Sequence, residues 1–131
     1  MSGFLDSNVL IYAVTEDPRA AIAQALMGRG WVTSVQALNE FANVARRELG
    51  MDWQEIRNAL GSMRTLCRVI APIDFELHAD GLRLAERYGC SFYDALMIAS
   101  ALRLACETFW SEDMQHGMVV DGSLTIENPF R

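Results

Sequence analysis

Carboxylates carry the chemistry this sequence is equipped for, and three of them are marked by pattern alone. Asp6 stands behind the short apolar run Phe4-Leu5, Asp94 lies near the head of SFYDALMIASALRL (91–104), and Asp113 lies in the polar stretch after Trp110. Clustered carboxylates repel one another and their pKa values rise unless cations neutralise them. Such a cluster implies one or two divalent ions, and oxygen ligands favour magnesium or manganese. Two such ions about 4 Å apart activate a water on one side of a phosphodiester and stabilise the leaving oxygen on the other. A local reading competes at Asp94. Ser91 and Asp94 have the Ser-x-x-Asp spacing of a capping box, which satisfies free N–H groups at a helix start while the acid favours the positive end of the dipole. The residues alone leave both readings open.

Other chemistries are poorly provided for. The chain has eleven basic residues, all arginine, and no lysine, although arginine-only usage is equally what codon bias in a GC-rich genome produces. A haloacid-dehalogenase-like phosphatase or a response-regulator receiver domain resembles this chain in fold class, yet both rely on a lysine at the phosphoryl site. There is no glycine-rich phosphate loop, which a Rossmann or P-loop enzyme requires. No Ser-His-Asp or Cys-His set is apparent, and His78 and His116 are too isolated for a zinc motif. Cys67, Cys90 and Cys106 are odd in number and form no Cys-x-x-Cys, which predicts reduced thiols and a cytoplasmic protein. The opening MSGFLDSN has no basic region and carries Asp6 where a signal peptide would be apolar, so export is not expected. No apolar run approaches the roughly 18 residues of a membrane span.

The elements that must position the acids read as strands alternating with helices. Asp17-Pro18 predicts a helix start running to about Met27, Trp31 to Thr33 a strand, and Ser34 the cap of a helix through Glu48. Asp52 and Glu55 form a capping box that opens a helix to about Leu66, and Cys67 to Ala71 a strand. Asp74 caps a helix ending at Gly89, with Gly81 as a weak point inside it. After the helix from Ser91, Glu107 to Trp110 form a strand, 111–117 a polar loop, and Met118 to Val120 and Leu124 to Ile126 extended pieces. The expectation is a single domain over 1–131, an α/β three-layer sandwich with a mostly parallel central sheet. Ligand crevices of such sheets lie beyond the carboxyl ends of the strands, the edge to which Asp6, Asp94 and Asp113 all fall. Glu40 shares a helical face with Gln36, Asn43 and Arg47, opposite the stripe Leu38, Phe41, Ala42, Ala45 and Leu49. That face is either solvated or lines the crevice, where Glu40 would be a fourth carboxylate and Arg47 a phosphate clamp. Periodicity does not decide.

At these residues the chain resembles the PIN-domain family of metal-dependent ribonucleases, and within it the VapC-type toxins of prokaryotic toxin–antitoxin pairs. The resemblance rests on LDSNVLIYA around Asp6, SVQALNEF around Glu40, SFYDALMIASAL around Asp94, SEDMQHG around Asp113, and NPF at 128–130. Each is weak alone, whereas five in order at family-like spacing are specific. It implies a PIN-like fold and a catalytic set of Asp6, Glu40, Asp94 and Asp113, with Asp6, Asp94 and Asp113 as ligands of Mg2+ or Mn2+. Asn8 and Ser111 would be polar supports, and Asn43 and Arg47 would line an RNA path. Gln115 stands where many relatives carry a further acid, which weakens a second metal position. Glu112 is expected to point away as a surface residue.

The resemblance also implies structured RNA as substrate and a small antitoxin as partner, whose arginine pairs with the carboxylates and whose apolar helix covers exposed surface. The competing reading is a PIN fold that has lost catalysis and serves as a binding scaffold. A net charge of −6 and a pI near 4.8 mean that bulk charge does not attract RNA, so local arginines must. The apolar fraction, 51%, is high and points to surface covered by a second copy or a partner, although a generous core also explains it. A homodimer is therefore expected, as PIN toxins commonly pair, with Met97, Leu102 and Leu104 either as contacts or as core.

Overall fold

The computed structural model describes residues 3–131, so Met1 and Ser2 of the opening segment lie outside it. Its elements are β1 (Gly3–Leu5), α1 (Ser7–Ala13), α2 (Ala20–Met27), β2 (Trp31–Ser34), α3 (Val35–Arg47) and α4 (Trp53–Leu66). They continue with β3 (Val69–Ala71), α5 (Phe75–Tyr88), α6 (Phe92–Arg103), β4 (Thr108–Trp110), β5 (Val119–Val120) and β6 (Leu124–Glu127). The strands form one sheet in the order β3-β2-β1-β4-β6-β5, parallel except for β5, which runs antiparallel to β6 at the edge. This is the three-layer α/β sandwich with a mostly parallel sheet that the alternation of elements predicts.

Most helix boundaries follow from their caps. Ser34, Asp74 and Ser91 each accept the N–H of the residue three positions on, and Asp52 with Glu55 closes a complete capping box. Gly89 ends α5 at φ +68°, a conformation that costs glycine little. One start differs. Helix α2 begins at Ala20 because Asp17 turns its carboxylate onto the backbone and guanidinium of Arg19, forming a tight turn ahead of the helix.

The core is continuous around β1, where Phe4 stacks on Phe109 of β4 with ring centroids 5.0 Å apart. Helix α6 is buried from Ala95 to Ala101, as a helix apolar on nearly every face requires. Of the two readings open for Met97 the structure gives core, while Leu102 and Leu104 are half-buried. Gly81 is likewise no weak point. A Cβ there would lie 2.9 Å from Leu96 Cδ2 and 3.3 Å from Phe92 Cε1, so the missing side chain lets α5 and α6 pack closely. Among the described residues, no helix is long and apolar enough to cross a membrane.

From β1 the chain steps outward to β2 and β3, then returns to lay β4 on the other side of β1. Open sheets bind ligands at such a reversal, beyond the carboxyl ends of the strands, here β1 and β4.

Candidate active site

Asp6 is the first residue beyond β1, and its N–H donates to Trp110 O at the end of β4, so the sheet itself sets its position. Its side chain is buried, with only 2% of the residue exposed, and it is the N-cap of α1. Oδ1 accepts from Ser7 N at 2.6 Å and from Ser7 Oγ at 3.2 Å. Oδ2 accepts from Ser111 Oγ at 2.7 Å and from Asn8 Nδ2 at 3.2 Å. Even so, the carboxyl is pushed up to about 7: burial dominates, the Ser111 hydrogen bond opposes it, and the charges of Asp94 and Glu40 add to it.

The other three acids are brought to the same place by different elements. Asn8 Nδ2 reaches Asp113 Oδ2 at 3.1 Å, and the Asp113 N–H donates to Ser111 Oγ. Ser7 Oγ donates to Glu40 Oε1 at 2.8 Å, and Gln36 Nε2, one turn earlier on α3, reaches Glu40 Oε2 at 3.2 Å. Asp94 is half-buried on the first turn of α6. Burial raises its carboxyl pKa, the Ser91 hydroxyl opposes this, and the charges of Glu40 and Asp113 raise it further. The cap and the cluster coexist at Asp94, because Ser91 Oγ takes its backbone N–H at 3.2 Å.

The donor set is all oxygen and the charge is uncompensated, which suits a hard divalent cation. Among the described residues, no three acidic, histidine or cysteine side chains are placed so that together they could hold a metal ion. Ser7, Asn8 and Ser111 instead place neutral donors between Asp6, Glu40 and Asp113.

Asn8 and Ser111 thus stand beside the acids, as the resemblance implies. Asn43 and Arg47 are exposed along α3, on the face of Glu40, and Gln115 is exposed on the loop after Asp113. Ser7 and Gln36 were not singled out as site residues. Gln36 was detectable at i−4 from Glu40, while the reach of Ser7 to Glu40 crosses 33 positions. Glu112 does point away from the acids, but it is no plain surface residue. It accepts from Tyr12 Oη at 2.6 Å and from Arg19 Nη1 at 2.7 Å.

A family model described as PIN domain matches residues 3–117. The chain belongs to the PIN domain family. Within it, the structure is similar to Mycobacterium tuberculosis VapC20, described as a sarcin-ricin loop cleaving toxin, at 20% identity and a TM-score of 0.70 over 86% of this chain and 92% of that one. A toxin–antitoxin complex from Klebsiella pneumoniae matches at 17% identity and a TM-score of 0.74, covering 98% of both chains. VapBC2 from Rickettsia felis, bound to a fragment of its promoter DNA, matches at 17% identity and a TM-score of 0.69, again over 98% of both. No curated protein sequence matches. At these identities the likeness is one of fold, and in this PIN domain the site must be argued from its own residues.

Proposed function

We propose that the chain is a divalent-metal-dependent endoribonuclease and the toxin of a toxin–antitoxin pair, with structured RNA as its substrate. The observation that carries this reading is the convergence of Asp6, Glu40, Asp94 and Asp113 from four different elements, with burial and like charge holding the Asp6 carboxyl up at about 7. Asp6 is buried and the acids around it raise its carboxyl further, a repulsion that a bound cation would relieve. Membership of the PIN family and the fold shared with VapC20 support the choice of RNA.

In this reading Asp6, Asp94 and Asp113 hold Mg2+ or Mn2+. The bound ion supplies positive charge that acidifies an attacking water and steadies the phosphate oxygens. Glu40, pinned by Ser7 and Gln36, orients that water. Ser111 and Asn8 keep Asp6 and Asp113 turned toward each other. Asn43 and Arg47 lie where an RNA strand would leave the acids along α3.

The partner is a small antitoxin. Its arginine pairs with the carboxylates, and its amphipathic helix lies in an apolar groove lined by Val14, Met27, Met63 and Leu66, of which Val14 and Leu66 are exposed. The free toxin is a cytoplasmic homodimer, so light scattering at high micromolar concentration should give twice the chain mass.

The decisive experiment is RNA cleavage by the purified protein with Mg2+ or Mn2+, abolished by chelation. Asp6→Asn, Asp94→Asn and Asp113→Asn should each lower it by about 100-fold or more while circular dichroism stays parental. A folded parent inert on RNA with either metal would replace this reading with a noncatalytic PIN scaffold.

A further inference from the structure

The loop after β4 carries two adjacent acids, and only one of them faces the cluster. What selects between them lies outside the acids. Asn8 and Tyr12 are four residues apart on α1 and so share a face, and both grip residue 112. Asn8 Oδ1 accepts the Glu112 N–H at 3.2 Å, and Tyr12 Oη donates to Glu112 Oε2 at 2.6 Å. Arg19, at the head of α2, donates from Nη1 to Glu112 Oε1 at 2.7 Å. The guanidinium is itself fixed from two sides. Asp17 accepts from its Nε and Nη2, both at 2.8 Å, and its Cζ stands 4.1 Å from the centre of the Tyr12 ring. Tyr12 in turn meets Phe130 edge to face, at 5.0 Å between centroids.

We propose that Glu112, clamped by Tyr12 and Arg19, is a positioning residue that fixes the rotation of the loop so that Asp113 is presented to the acid cluster, and thereby sets the affinity of the site for a divalent cation. Neighbouring side chains on a bent segment leave the backbone in different directions, so anchoring one aims the other. The clamp also keeps a fifth carboxylate out of a site already crowded with charge. This inference rests on the metal-binding reading of the acids, and its test is arranged to separate the two.

The test measures Mn2+ binding by calorimetry, together with hydrogen exchange at the Asp113 amide, on the parent, Glu112→Gln, Glu112→Ala and Tyr12→Phe. A glutamine retains both contacts, accepting from Arg19 and donating to the phenolic oxygen, whereas alanine loses both. Glu112→Ala should weaken Mn2+ binding by about tenfold or more, the range seen when a partner of a metal ligand is removed. It should also speed exchange at Asp113, and Glu112→Gln should stay near the parent in both readouts. Tyr12→Phe, which keeps the ring under Arg19, should fall between them and guards against a misfolded alanine variant. Equal losses in Gln and Ala would make Glu112 a ligand and overturn the proposal, as would an alanine variant that binds like the parent. If the parent itself binds no Mn2+, the metal reading fails. The clamp is then judged on exchange alone, with faster exchange in Glu112→Ala supporting it and unchanged exchange overturning it.

Discussion

Ser7 Oγ donates to Glu40 Oε1 at 2.8 Å while standing 3.2 Å from Asp6 Oδ1. One hydroxyl proton serves two acids, and the shorter contact goes to Glu40. The hydroxyl is thus both the tether of α3 to the end of β1 and a neutral spacer between two negative charges. Ser7→Ala removes the tether without touching a carboxylate. We expect kcat/KM for RNA cleavage to fall about fivefold to tenfold, the scale of one hydrogen bond of roughly 1 kcal/mol, and Ser7→Thr to recover most of it. Steady-state kinetics at saturating Mn2+ would check this, and a fully active Ser7→Ala would remove Ser7 from the site.

Burial holds the Asp6 carboxyl at about 7, against 3.8 for the unburied group. Between those values the folded chain keeps a proton that the unfolded chain has lost. The contribution of Asp6 to metal-free stability is therefore fully present below about pH 4, is lost as pH rises toward 7, and levels off above it, a loss of roughly 4 kcal/mol from this group. Asp94, raised in the same direction, adds to the slope. Thermal unfolding in chelator across pH 4 to 8 is the measurement. Asp6→Asn should flatten the profile and be more stable than the parent at pH 8; a parental slope in that variant would assign the titration elsewhere.

Arg47 is exposed two turns beyond Glu40 on α3, among the basic residues of the last turn. Arg47→Ala should weaken RNA binding more at low salt than at high and reduce the salt slope by about one, because a lost phosphate contact no longer releases a counterion. Filter binding at several salt concentrations with catalytically inactive Asp94→Asn protein would show this. An unchanged slope excludes Arg47 as a phosphate ligand.

Two glycines inside helices should respond oppositely to alanine. Gly61 of α4 has nothing within 4 Å of an added Cβ, so Gly61→Ala should gain up to about 1 kcal/mol of helix propensity. Gly81→Ala gains the same propensity but drives a methyl to 2.9 Å from Leu96, a buried side chain with little room to yield. Overpacking costs about 1–3 kcal/mol and wins, so the melting point should drop. A stabilised Gly81→Ala would mean that α5 and α6 separate easily.

The caps at Ser34, Asp52, Asp74 and Ser91 were legible in the sequence because a cap is a local contract between residues three apart. The acids at the strand ends were legible through the rule that open parallel sheets bind ligands at that edge. Glu40 was ambiguous by periodicity, since a face that lines a crevice and a face in solvent have the same composition; its contact with Ser7 is what distinguishes them. The grip on Glu112 was invisible for a related reason. Its partners lie 93 and 100 positions away, and no local pattern marks an arginine and a tyrosine that meet only after α1, α2 and the loop are packed. Gly81 was misread because helix propensity is a property of one chain segment, whereas its value here depends on α6.

The strand order carries a consequence for synthesis. Strand β1 comes early in the chain but gains its second neighbour, β4, only once synthesis has passed Trp110. While the chain is being translated, Phe4 and Leu5 present an unpaired edge, and Asp6 lacks Ser111, 105 positions away. The acid cluster of a nascent chain is thus incomplete until β4 and the loop carrying Ser111 and Asp113 have left the ribosome. The interval in which its sticky edge needs protection closes at the same moment as its site assembles.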